Sequence, residues 1–117
     1  MQKVLVIDDN EDVLDVIDCI LINAGLKVLA YKKKLTVGTI LELGPNLIII
    51  DHLLHDGLGG DLCLKLKADE STKLIPVILI SSHDDLEWIA KKSCADDYTE
   101  KPFDIGDFEK TVGRFVS

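Results

Sequence analysis

Short, continuously apolar runs alternate along this chain with amphipathic stretches, and few folds accommodate that alternation. Val4-Leu5-Val6-Ile7, Leu47-Ile48-Ile49-Ile50 and Val77-Ile78-Leu79-Ile80 are apolar at every position, which suits strands covered on both faces. The first strand spans residues 3 to 8, and Val28 to Tyr31 and residues 97 to 99 add two weaker ones. Between them lie helical patterns. Val13, Val16, Ile17, Ile20, Leu21 and Ala24 recur at helical spacing until Gly25. A second helix over 35 to 43 contains Gly38 and stops at Gly44-Pro45. A third, near 60 to 68, turns Leu62, Cys63 and Leu66 inward after the turn-rich loop Asp56-Gly57-Leu58-Gly59-Gly60. A fourth covers roughly 85 to 94, and the last places Ile105, Phe108, Val112, Phe115 and Val116 against a sheet. Five strands, each followed by a helix, predict an α/β fold with a parallel, doubly wound sheet, because parallel strands need crossovers that cover both faces.

At 117 residues and 47% hydrophobic content, the chain is read as one domain, residues 1 to 117, with a sizeable core. A net charge of −8 argues against direct contact with nucleic acid or an anionic membrane, both of which attract basic patches. Lys32-Lys33-Lys34 is too short to reverse this and reads as a solvated loop or helix start. No apolar stretch approaches the roughly 20 residues that span a bilayer, and a strand pattern begins without a signal-peptide layout. A cytosolic location is expected. Cys19, Cys63 and Cys94 are odd in number and set among apolar residues, so they read as reduced core or near-core thiols; His52, His55 and His83 lack metal-ligand spacing with them.

In such folds the chemistry gathers at the carboxyl ends of the strands. The reading puts Asp8 and Asp9 after the first strand, Asp51 after the third, Ser81 after the fourth and Lys101-Pro102 beyond the fifth. Each has an ordinary alternative: the acids suit turns or helix caps, Ser81 a cap, Tyr98 an edge-strand aromatic and Lys101 the surface. Taken together they supply acids for a hard divalent cation such as Mg²⁺, a carboxylate nucleophile toward phosphorus, a hydroxyl for a phosphoryl oxygen and an ammonium to neutralise it. Asp84 and Asp85 read as caps of the fourth helix. Trp88, Leu74 and Leu64 are candidate partner contacts, with core packing the competing reading for Trp88.

Asp8-Asp9, Asp51, Ser81 and the segment Ala95-Asp96-Asp97-Tyr98-Thr99-Glu100-Lys101-Pro102-Phe103 closely resemble the receiver domain of two-component response regulators, over the whole chain. The resemblance implies a flavodoxin-like strand order, 2-1-3-4-5. It also implies that Asp51 accepts a phosphoryl group from a histidine kinase or histidine phosphotransfer protein. Asp9, Asp51 and the backbone carbonyl of Leu53 would ligate Mg²⁺, with Asp8 acting through water. Lys101 would pair with the phosphoryl group across a cis Lys101-Pro102 bond, and Ser81 and Tyr98 would form a switch pair that signals to a downstream effector protein or domain. Catalysis would be confined to self-phosphorylation and autodephosphorylation, so the chain is not expected to be an enzyme toward a separate substrate. No DNA-binding or enzymatic module follows in this chain, which suits a single-domain regulator or an excised receiver.

The chain departs from that family in three places. His55 stands where proline is usual, which removes a backbone restraint near Asp51 and predicts a looser loop. Ser81 replaces the more frequent threonine. The stretch from Ser81 to Tyr98 is roughly two residues shorter than usual, which shortens the fourth helix or its leading loop by about half a turn, makes the signalling face of the fourth helix, fifth strand and fifth helix unusual and argues against homodimerisation through it. Two other classes stay open. One is a receiver-like docking module that needs no phosphorylation, and the other a phosphohydrolase of the haloacid dehalogenase type, whose Asp-x-Asp pattern is absent from Ile7-Asp8-Asp9-Asn10.

Overall fold

The structure, a computed structural model, describes residues 2–116; Met1 and Ser117 of the domain read as 1 to 117 lie outside the described residues. Its elements in chain order are β1 (Lys3–Ile7), α1 (Glu11–Asn23), β2 (Lys27–Tyr31), α2 (Val37–Leu43), β3 (Leu47–Asp51), β4 (Leu53–Leu54), β5 (Gly57–Leu58), α3 (Gly59–Ala68), β6 (Val77–Ser81), α4 (Leu86–Lys92), β7 (Asp97–Glu100) and α5 (Ile105–Gly113). Five strands form one parallel sheet in the order β2-β1-β3-β6-β7. This is the doubly wound arrangement expected from the alternation. The order is the one the resemblance implied, once the small strands β4 and β5 are set aside.

The apolar runs separate into two cores because successive strand side chains point to opposite faces. Val4 and Val6 of β1, Leu47 and Ile49 of β3, and Ile78 and Ile80 of β6 pack with Ile17 and Leu21 of α1 and Phe108 and Val112 of α5. Leu5, Ile7, Ile48, Ile50, Val77 and Leu79 face the other way, onto Ile40 of α2, Leu62 and Leu66 of α3, and Leu86 and Ala90 of α4. Every residue of β3 and β6 is buried. A strand with no solvent face tolerates polar side chains only where it ends, so the chemistry is confined to its carboxyl edge.

Several local expectations change. The segment after Asp51 is not only loop: Leu53-Leu54 and Gly57-Leu58 pair as a two-stranded antiparallel hairpin, β4–β5. The fourth helix is shorter than the predicted 85 to 94, starting at Leu86 and ending at Lys92. Asp85 holds its N-cap position but makes no side-chain capping bond. α5 ends at Gly113, so Phe115 and Val116 pack against the α1 side from beyond the helix. Ile105 is 54% exposed and does not cover the sheet. Of the three free thiols only Cys63 is buried, while Cys19 and Cys94 are exposed. Burial pushes the Cys63 thiol up to about 12, an inert structural group. Trp88 is 60% exposed rather than core, with the Lys92 ammonium over its ring, and Leu74 and Leu64 are exposed too. No helix among the described residues is long and apolar enough to cross a membrane.

Candidate phosphoryl-acceptor site

Asp8 follows β1 directly and is fully buried, yet both of its oxygens are used. Oδ1 accepts the Asn10 backbone N–H at 2.8 Å, and Oδ2 accepts Lys101 Nζ at 2.8 Å. Asn10 in turn caps α1, its Oδ1 accepting the Val13 N–H at 3.2 Å. The turn that ends β1 thus also starts α1, and it aims the carboxylate back toward the sheet edge. Asp51, the last residue of β3, is 5% exposed; its Oδ1 accepts the Leu53 N–H at 3.2 Å and its Oδ2 lies 3.2 Å from Lys101 Nζ. Lys101 therefore bridges two buried carboxylates. One ligand oxygen from each of Asp8, Asp9 and Asp51 falls within 4.8 Å of the others.

The electrostatics follow from this crowding. Burial, and then the Asp8 charge, raises the pKa of Asp51 above the ordinary carboxylate value, and Lys101 and the Leu53 N–H offset only part of that. Burial alone would lower Lys101, but its hydrogen bond to Asp8 and the charges of Asp51 and Asp8 outweigh it, and its pKa rises. Lys101 stays charged at neutral pH, and Asp51 is a more basic carboxylate than an exposed one. An all-oxygen set of three clustered acids with a net negative charge suits a hard divalent ion such as Mg²⁺.

Two glycines set the position of Asp51. A Cβ at Gly59 would overlap the backbone carbonyl oxygen of Asp51 and press on Ile50, and one at Gly60 would strike Ser93 Oγ and crowd the His52 ring. The start of α3 can therefore lie flush against the end of β3 only without side chains there. The Gly59 N–H donates to His52 O at 2.8 Å, and the Gly60 N–H donates to His52 Nδ1 at 3.1 Å. His52 is buried, and burial, followed by the nearby His83, lowers its pKa. It is a neutral wedge between strand and helix.

Ser81 and Tyr98 stand in different layers of this edge. Asp51 pairs with Ile80, so Ser81 ends β6 one step beyond it; Ser81 is fully buried, and its Oγ accepts the His83 N–H at 3.1 Å. The Lys101 N–H donates to Ser81 O at 2.9 Å. Tyr98 pairs with Leu79 and is half-buried against the α2–α3–α4 core. The Lys101-Pro102 bond is cis. Other acids of the same sequence segment serve the fold elsewhere: Asp96 accepts both Lys67 Nζ and the Val77 N–H at 2.7 Å, and Asp97 accepts Arg114 Nη1 at 2.6 Å.

Sequence reasoning missed one contact that reaches the site. The backbone N–H of His55, at the tip of the β4–β5 hairpin, donates to Asp9 Oδ2 at 2.9 Å, and its Nε2 lies 3.4 Å from the same oxygen. The absence of proline was expected to loosen this loop. Instead the freed N–H, which proline lacks, ties the hairpin to Asp9.

Residues 4–113 match the family described as the response regulator receiver domain. The DNA-binding dual master transcriptional regulator RpaA of Synechocystis sp. is 33% identical over 116 residues, covering 90% of this chain and 45% of that protein. The chain thus spans about half the length of the curated regulators it matches. A response regulator structure from Chloroflexus aurantiacus superposes with a TM-score of 0.86 at 22% identity, covering 97% of this chain and 96% of that one. The receiver domain of a sensor histidine kinase from Pseudomonas aeruginosa PAO1, solved with a magnesium ion coordinated in its active site cleft, gives a TM-score of 0.81 at 21% identity over 97% and 96% of the two chains. At these identities the two structures speak for the fold, while the family match speaks for the kind of signalling. The chain belongs to the receiver domains of two-component response regulators.

Proposed function

We propose that Asp51 is the phosphoacceptor of this receiver and that Lys101 and Ser81 serve the transfer. The observation that carries this is the buried, raised-pKa carboxylate of Asp51 at a strand end, held 3.2 Å from a lysine ammonium. An Asp51 oxygen attacks phosphorus, the new O–P bond replaces the P–N bond of a phosphohistidine, and the electron pair of the broken bond leaves with the imidazole. Lys101 can follow the added negative charge because its chain already reaches Asp51, and the Ser81 hydroxyl offers a donor at the same edge. Asp9, Asp51 and the Leu53 carbonyl would hold Mg²⁺, with Asp8 behind them. When bound, Mg²⁺ shields the phosphoryl oxygens and so admits an anionic donor to an acidic site.

The donor is a histidine kinase or phosphotransfer protein. An apolar cleft of about 500 Å³ beside Lys101, lined by Val13, Val16, Phe103 and Ile105, gives such a protein a place to seat next to Asp51. Ser81 and Tyr98 form the switch. Withdrawal of the Ser81 hydroxyl from the His83 N–H toward a phosphoryl oxygen would alter the packing that Tyr98 shares with α4, and a downstream effector reads that face. We place this exchange in the cytoplasm, where free thiols such as Cys19 and Cys94 persist. No separate substrate is turned over. Intact-mass spectrometry after exposure to acetyl phosphate with Mg²⁺ tests the assignment: one phosphoryl adduct is expected on the wild-type chain and none on Asp51→Asn. Labelling that survives in Asp51→Asn would move the nucleophile elsewhere.

A further inference from the structure

His55 makes two contacts with one oxygen of the acid cluster, Asp9 Oδ2. Its backbone N–H is bonded to Asp9 Oδ2, which pins the hairpin tip, and its imidazole Nε2 sits 3.4 Å from that same oxygen while the side chain is 92% exposed. Two donor atoms that share one metal at bonds near 2.0–2.1 Å in a tetrahedral arrangement are about 3.3 Å apart. The Nε2 to Oδ2 separation, 3.4 Å, is that of an ion pair and lies close to this tetrahedral spacing. The ring lies outside the Asp8–Asp9–Asp51 group and neighbours it at Asp9, where its nitrogen is the nearest non-oxygen donor the contacts show. An exposed ring on a pinned backbone can turn to an ion without disturbing the core.

We infer that His55 makes this a mixed carboxylate–imidazole site, and that it biases cation choice toward nitrogen-accepting first-row transition ions relative to Mg²⁺. The inference rests on the reading of Asp8, Asp9 and Asp51 as the cation site and names a residue that tunes it. Mg²⁺ binds oxygen donors and gives up its waters reluctantly, so an added imidazole gains it little. Co²⁺, Ni²⁺ and Zn²⁺ gain a strong donor from the same ring.

The test compares Co²⁺ and Mg²⁺ association constants by calorimetry for the wild-type chain and His55→Gln, both in a Cys19→Ser/Cys94→Ser background, since exposed thiols would also take Co²⁺. Visible absorption of bound Co²⁺ reports ligand type independently. The ratio of Co²⁺ to Mg²⁺ affinity should fall at least about fivefold in His55→Gln, with a change in the Co²⁺ spectrum. A smaller fall, or an unchanged spectrum, overturns the role of His55 and leaves the carboxylate site standing. If the wild-type chain gives no Mg²⁺ response in amide NMR at residues 8, 9 and 51, the cation site itself fails, and this inference with it.

Discussion

The acid cluster and the α4–β7 edge are built to different standards. At the acid cluster, Asp8, Asp51 and Lys101 interlock through bonds of 2.8 to 3.2 Å from the turn after β1, the end of β3 and the loop after β7. Around α4 and β7 the structure is sparser. α4 has seven residues, buries only Leu86 and Ala90, and starts without a side-chain cap. Thr99 Oγ1 of β7 is buried with no hydrogen-bond partner. On the proposed function, the contrast separates reaction from readout. Groups that hold and receive charge must be preorganised, because misplaced charges are costly when buried, whereas a segment that reports a change must be able to shift at small free-energy cost.

The sharpest way to break this contrast is at Lys101. Lys101→Met leaves two buried carboxylates without their shared cation, and should lower stability by about 3 kcal/mol in denaturant titration without divalent ions. A loss as small as that of an exposed lysine would mean that the cluster is not preorganised. Next in size is the readout side: in the unphosphorylated chain, amides 86 to 92 of α4 should exchange at least about tenfold faster than those of 13 to 22 in α1, a gap of about 1.4 kcal/mol in opening free energy. Equal protection would put the two regions on one footing.

Thr99→Val should stabilise the chain by about 1 kcal/mol, since it removes a buried hydroxyl without a partner while keeping shape. Any destabilisation would show that the hydroxyl is engaged after all.

The smallest effect concerns Asp51. Its raised pKa means that its contribution to stability is fully present below the ordinary carboxylate value and lost as pH rises through the raised one. Asp51→Asn should therefore be more stable than wild type at neutral pH by only about 0.5 kcal/mol, because relief from Asp8 is offset by the lost attraction of Lys101. The advantage should disappear as pH falls toward the ordinary carboxylate range. Melting curves across that range decide it, and an advantage that grows on acidification would reverse the assignment.

How much of this was legible in the residues follows the same division. The fully apolar runs point to buried parallel strands because they are four residues long, rich in Val and Ile, and too short for a buried helix. Once the strands are placed, Asp8, Asp9, Asp51, Ser81 and Lys101 fall at their ends by counting alone. The hairpin β4–β5 was not legible, because Leu53-Leu54 and Gly57-Leu58 are too short for a period. The exposure of Trp88 was hidden too, since an aromatic at helical spacing looks the same whether it meets a core or solvent. The hydrogen bond from residue 55 to Asp9 was beyond reach for another reason: it joins a backbone group to a side chain 46 positions away, and backbone donors leave no trace in the letters. Only the absence of proline hinted that a donor was there.

The glycines at the head of α3 have a further meaning for how such a chain can change over generations. Gly59 faces the backbone carbonyl of Asp51, so there the first carbon of any side chain is already too much, whereas at Gly60 the Ser93 hydroxyl and the His52 ring would have to give way. Every amino acid reachable from glycine by one nucleotide substitution carries that carbon. Drift therefore has no small first step at Gly59, and a lineage that altered it would first have to move the helix away from β3. The Asp51 carboxylate is thereby held in place by a neighbour without a side chain, and the freedom to vary is left to the hairpin tip and the outer helices.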